Sequence, residues 1–100
     1  MEKRQLAHMI LRQQLHWMTE ITRSYPNIKR KGRPLRQLDA SAGETSFETY
    51  TLGELLTYSL TTLQSLWAHI QQLKRLGRNL NLEILQYTAA LYGFTSIDAL

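Results

Sequence analysis

With 100 residues, 43% of them hydrophobic, the chain is the size of one globular domain, and such a length buries roughly 60–65% of its unfolded surface. The absence of cysteine excludes disulfides, thiolate zinc sites and cysteine nucleophiles. No apolar run approaches the ~18 residues of a membrane span and the N-terminus lacks a signal-peptide core, so a soluble, cytoplasmic protein is expected. The net charge of +4 and pI of about 9.7 are a mild basic bias.

The expected fold is all-α: a small bundle of three main helices plus a short C-terminal helical turn, forming a single helical domain over 1–100. The first helix is predicted over about 2–25. Leu6, Ala7, Ile10, Leu11, Trp17, Met18, Ile21 and Tyr25 share one stripe at 100° per residue. Gln5, His8, Arg12, His16, Thr19 and Arg23 share the opposite face, which reads as a basic ridge centred on His8, Arg12, His16 and Arg23. Pro26 stops this helix.

Residues 26–45 read as a long basic loop between the first and second helices. They hold both prolines and the cluster Lys29, Arg30, Lys31, Arg33 and Arg36, and then turn small and polar over Asp39–Gly43. No acidic residue interrupts the stretch from Arg23 to Arg36. Long connectors of this kind are commonly functional or mobile.

The second helix is predicted over about 52–76. Thr51 and Glu54 have the spacing of a capping box, with Ser46 as an earlier start. Lys74 and Arg75 suit its C-terminal end and Gly77 its cap. Trp67 lies on its apolar stripe as Trp17 lies on that of the first helix, so both tryptophans are expected to be buried. From Leu55 to Leu73 there is no Asp, Glu, Lys or Arg. The outer face shows Thr57, Thr61, Gln64, Ser65, Ala68 and Gln72, and charge depletion of this kind marks the centres of protein interfaces. Thr and Gln serving as ordinary surface residues, or burial of this helix inside its own monomer, would explain the depletion equally well.

The third helix is predicted over about 80–92, capped by Asn79 or Asn81. It carries two apolar ridges. Leu80, Ile84, Tyr87 and Leu91 form one; Leu82, Leu85, Ala89 and Tyr92 form the other. Such a helix is either central to the bundle or uses one ridge as an interface. A short turn over 96–100 closes the chain.

The segment Lys29-Arg30-Lys31-Gly32-Arg33-Pro34 contains a Lys-Gly-Arg-Pro core that resembles the AT-hook, a motif centred on Arg-Gly-Arg-Pro. The resemblance covers six residues. It implies an extended strip in the minor groove of A/T-rich DNA, where glycine admits the backbone and flanking cations follow the groove's potential. Lys31 replaces the first core arginine and Arg30 stands where proline is usual. The expected contacts to nucleic acid or an acidic partner are therefore Lys29, Arg30, Lys31, Gly32, Arg33 and Arg36, and the expected protein interface is Thr57, Thr61, Gln64, Ala68 and Gln72.

Neither a phosphate-binding glycine loop, a nucleophile elbow nor a His-Glu-x-x-His pattern occurs. His8 and His16 are separated by about 12 Å of helix and cannot share an ion. No enzyme activity, metal or cofactor is expected. The expected function is a non-enzymatic accessory or regulatory protein acting on DNA or a DNA-processing complex. The alternative is a protein-binding modulator or inhibitor, in size and charge similar to small helical proteins of phages and mobile elements, that docks on a host nucleic-acid enzyme without touching DNA. Partners are a protein, nucleic acid or both; no membrane is expected, and the second or third helix is a candidate for pairing two copies.

Overall fold

The first helix, α1 (Lys3–Ser24), begins where Glu2 and Gln5 exchange capping hydrogen bonds and ends where Pro26 cannot continue the ladder. The computed structural model describes residues 2–100, excepting the side chain of Lys31. Five helices follow one another: α1, α2 (Pro26–Lys31), α3 (Phe47–Leu56), α4 (Leu60–Arg75) and α5 (Leu80–Leu91). Single 3-10 turns lie at Gln37–Asp39 and Ile97–Ala99, and no strand is formed among the described residues.

α1 is the central element. Each of the other four helices packs on it. Its buried positions, Leu6, Ala7, Ile10, Leu11, Leu15, Trp17 and Ile21, spread over half of the helix circumference. Leu15, outside the expected stripe, widens that arc so that α3 and α4 can both be seated. Leu55 of α3 and Leu63, Ile70 and Leu73 of α4 complete the core. The molecule is a slab of 40 × 37 × 21 Å. In a slab about two helices thick each helix keeps a side open, and α1 turns its polar face outward.

Two expectations about architecture are corrected. The long basic loop over 26–45 is absent, because Pro26 both ends α1 and begins α2. Proline lacks an N–H that the first helical turn would leave unsatisfied anyway, and its fixed φ suits that position. Lys29, Arg30 and the backbone of Lys31 are therefore helical. The remaining connector is latched to the start of α3. The amides of Phe47 and Glu48, which have no helical carbonyl to reach, donate to Pro34 O and Leu35 O at 2.9 Å each. Gln37 adds three bonds: its side chain accepts from Ser46 N and donates to Glu44 O, both at 2.9 Å, and its own amide donates to Glu48 Oε1 at 3.1 Å.

The second correction is that the expected helix over 52–76 is two helices. Ser46 is the cap that starts α3, its hydroxyl accepting from Thr49 N at 3.1 Å. Thr51 and Glu54 therefore lie inside α3 rather than at its start. Ser59 caps α4 in the same way through Thr62 N at 3.1 Å. Thr57 donates its hydroxyl to Glu54 O at 2.6 Å, one of the local bonds that compete with a continuous helix. The count of three main helices is thus replaced by five, four of them longer than one or two turns.

Long-range hydrogen bonds fix the remaining pieces. Asn79 caps α5 by accepting from Leu82 N at 3.0 Å and also donates to Trp17 O of α1 at 3.2 Å. Asn27 of α2 donates to Ile97 O at 2.9 Å and Leu100 O at 3.2 Å. After α4 and α5 the chain reverses at Gly77 and Gly93, whose φ values of 70° and 82° favour glycine. Trp17 is buried, whereas Trp67 is only partly so, lying at the edge of the core against expectation.

Candidate functional site

The polar face of α1 is exposed as expected, with His8, Arg12, His16 and Arg23 all open to solvent. Arg36 reaches this face from the connector. Leu35 packs against the core and its carbonyl is held by Glu48 N, which places the next residue beside the N-terminal half of α1. His8, Leu11, Arg12, Leu15, Arg36 and Glu48 together line a cleft of about 140 Å³. Two segments far apart in sequence thus contribute one cationic surface.

Electrostatically the cleft is unbalanced. Among the described residues His16 Nε2 lies 2.9 Å from Glu20 Oε1 along one face of α1 and Arg78 pairs with Glu83, while neither Arg12 nor Arg36 has a carboxylate within 4.0 Å. One carboxylate, Glu48, also lines the cleft and accepts from the Gln37 amide, so two guanidiniums stand against one acid. Two guanidiniums, each with a fork of donors and little competition, suit a phosphate or carboxylate oxygen.

The other expected contact residues lie elsewhere. Lys29 and Arg30 are exposed on α2, Gly32 ends that helix, and the Lys31 side chain is outside the described residues. A Cβ at Gly32 would come within 2.9 Å of Ile28 O, so glycine serves the close of α2. Arg33 lies 4.8 Å above the centre of the Tyr50 ring and donates to Thr45 O at 3.2 Å. The segment similar to an AT-hook is therefore helical in its first half and folded onto α3 in its second.

Of the expected protein interface, Thr61, Gln64, Ala68 and Gln72 form one exposed line along α4, while Thr57 falls beyond the break, at the end of α3. Since these side chains are exposed, burial within the monomer does not explain why this face lacks charge.

A second concavity of about 490 Å³ runs between α3 and α5. Arg33, Tyr50, Glu54, Tyr58, Leu80 and Ile84 are among its walls. The Tyr58 hydroxyl donates to Glu54 Oε1 at 2.9 Å, and this bond raises the tyrosine above its ordinary value of 10.0. Gln14 Oε1 and Asn81 Oδ1 are buried in the walls with no hydrogen-bond partner. No local sequence signal marks this groove, since its walls come from four helices and the connector. The same holds for the meeting of Arg36 with Arg12.

Among the described residues no helix is long and apolar enough to cross a membrane. Neither the curated proteins nor the solved structures contain a match to the chain. The family described as "Protein of unknown function (DUF4125)" matches residues 1–100, and the chain belongs to that family.

Proposed function

We propose that this is a non-enzymatic accessory protein acting on DNA or on a DNA-processing complex, with its polyanion contact at the cleft shared by α1 and the connector. The observation that carries the reading is the convergence of Arg12 and Arg36 beside His8, two guanidiniums against the single carboxylate of Glu48 and neither ion-paired. Lys29 and Arg30 on α2 add exposed positive charge. A surface of this kind binds phosphates through release of their counterions, with little demand on base sequence.

The test is fluorescence anisotropy of a labelled duplex across a salt series, with the wild type and Arg12→Ala/Arg36→Ala. Both arginines are exposed, so the variant keeps its helical circular dichroism. It binds more weakly, and its salt dependence falls by roughly 0.9 in log–log slope for each phosphate contact removed. Equal affinity and equal slope for both proteins remove the cleft from the function.

A second reading, a protein-binding modulator that docks on a nucleic-acid enzyme, draws support from the exposed charge-free line on α4. An affinity capture from host lysate, repeated after nuclease treatment, separates the two. A partner lost with nuclease supports nucleic-acid contact, and one retained supports direct protein docking.

A further inference from the structure

The concavity between α3 and α5 sets unlike groups in a fixed order. Arg33 stands 4.8 Å above the Tyr50 ring, Glu54 follows one helical turn after Tyr50, and the Tyr58 hydroxyl donates to Glu54 Oε1 at 2.9 Å. Cation, ring and carboxylate therefore succeed one another along one wall of a groove of about 490 Å³. Leu80 and Ile84 give it an aliphatic wall on the side of α5.

Its polar groups have capacity to spare. Arg33 spends one nitrogen on Thr45 O, and among the described residues it has no carboxylate within 4.0 Å. The Glu54 carboxylate is exposed and accepts one bond, from Tyr58. Gln14 Oε1 and Asn81 Oδ1, buried in the walls, accept none, although buried polar atoms of folded proteins are nearly always paired. The groove thus offers a free guanidinium fork for an anion and several acceptors that lack donors.

We infer that this groove binds one unpaired nucleotide, with its phosphate on Arg33, its base between the tyrosine and aliphatic walls, and the N–H edge of the base on Glu54. Phosphate, ring and hydrogen-bonding edge follow one another in a nucleotide in the order in which the groove presents their counterparts. Aromatic side chains and guanidinium planes both stack on bases, and a base in a strand gains from this without help from its neighbours. Guanine suits Glu54 best. A carboxylate only accepts, and guanine turns two adjacent N–H donors to one side, where adenine and cytosine set an acceptor beside their amino group. The volume lies within the range of about 300–1,000 Å³ of small-molecule sites. A duplex is a poor occupant, because its bases have already spent that edge on pairing. The ligand is therefore a free nucleotide or a nucleotide of a single strand.

Titration with 5′-GMP to about 10 mM, followed through backbone amide chemical shifts, tests this directly. Saturable shifts are expected at Tyr50, Glu54, Asn81 and Ile84. AMP, UMP and phenyl phosphate, which lack the paired donors, bind weaker by about tenfold or more. Arg33→Gln lowers the affinity for GMP to that for guanosine, and Glu54→Gln removes the preference for GMP over AMP. Both side chains are exposed, so both variants keep the helical circular dichroism of the wild type. Tyr50→Ala weakens GMP by roughly fivefold or more; should it fail to fold, the two exposed variants are read alone. A single-stranded oligonucleotide containing guanine that binds more tightly than GMP assigns the site to strands, and equal affinity assigns it to free nucleotides. Arg12→Ala/Arg36→Ala keeps GMP binding, so the result is separate from that of the polyanion cleft. The inference is overturned by an absence of shifts at the groove, by phenyl phosphate binding as well as GMP, by Arg33→Gln and Glu54→Gln both binding GMP as the wild type does, or by loss of GMP binding in Arg12→Ala/Arg36→Ala.

Discussion

α1, with one broad apolar face, and α5, with two apolar ridges, occupy opposite situations. α1 is covered by four helices, and its Ile10 is fully buried; α5 is covered on one side, and its Ile84 stands open. The difference is one of composition, length and place: α1 carries Lys3, Arg4, Arg12, Glu20 and Arg23, and α5 a single charge, Glu83. With 22 residues, α1 is long enough to seat four neighbours along and around it, whereas α5, with 12, lies at the edge of a slab two helices thick.

The same substitution in the two helices breaks or sustains this contrast. Ile10→Ala removes side-chain volume from a closed site and costs about 2–5 kcal/mol in urea unfolding followed by circular dichroism. Ile84→Ala changes stability by no more than about 0.5 kcal/mol. Comparable losses at the two positions would show that the outer ridge of α5 is covered within the monomer.

A smaller effect is expected where the two helices are joined. Asn79 holds the first turn of α5 and the Trp17 carbonyl of α1 at once. Asn79→Ala costs about 1–2 kcal/mol, at the upper end of the range for a lost cap. Hydrogen exchange after this change should accelerate in α5 and leave the centre of α1 protected. Uniform acceleration would mean that α5 does not open separately.

The smallest effect concerns the surface pair at the start of α5. The Arg78 guanidinium forks onto both Glu83 oxygens, at 2.9 and 2.5 Å, and holds that carboxyl below its ordinary value of 4.5. A lowered carboxylate contributes stability that is present above the unfolded value and lost as pH falls through the folded one. In thermal melts, wild type and Glu83→Gln should thus differ slightly at neutral pH and converge as the medium is acidified below 4.5. The pair is solvent-exposed, so the gap is small. A constant gap down to low pH would assign the effect to something other than the ion pair.

What the sequence alone determined was local. The helical character, the exposed basic face of α1, a cap for α5 at Asn79 or Asn81 and the glycine stop at 77 follow from periodicity and capping, which act within a few residues. Other local signals competed. Thr51 with Glu54 and Ser46 with Thr49 were both valid starts, and Ser46 prevailed because the connector's carbonyls satisfy the first amides of α3. Pro26 reads equally as the end of one helix or the beginning of the next, and here it is both. Tertiary structure alone decided that α1 is the covered helix, that Trp67 lies at the edge of the core, that Arg33 turns onto Tyr50, and that Arg36 joins Arg12. Each depends on which surfaces meet across tens of residues, where the free energy comes from burial and from satisfying distant polar groups rather than from any pattern along the chain.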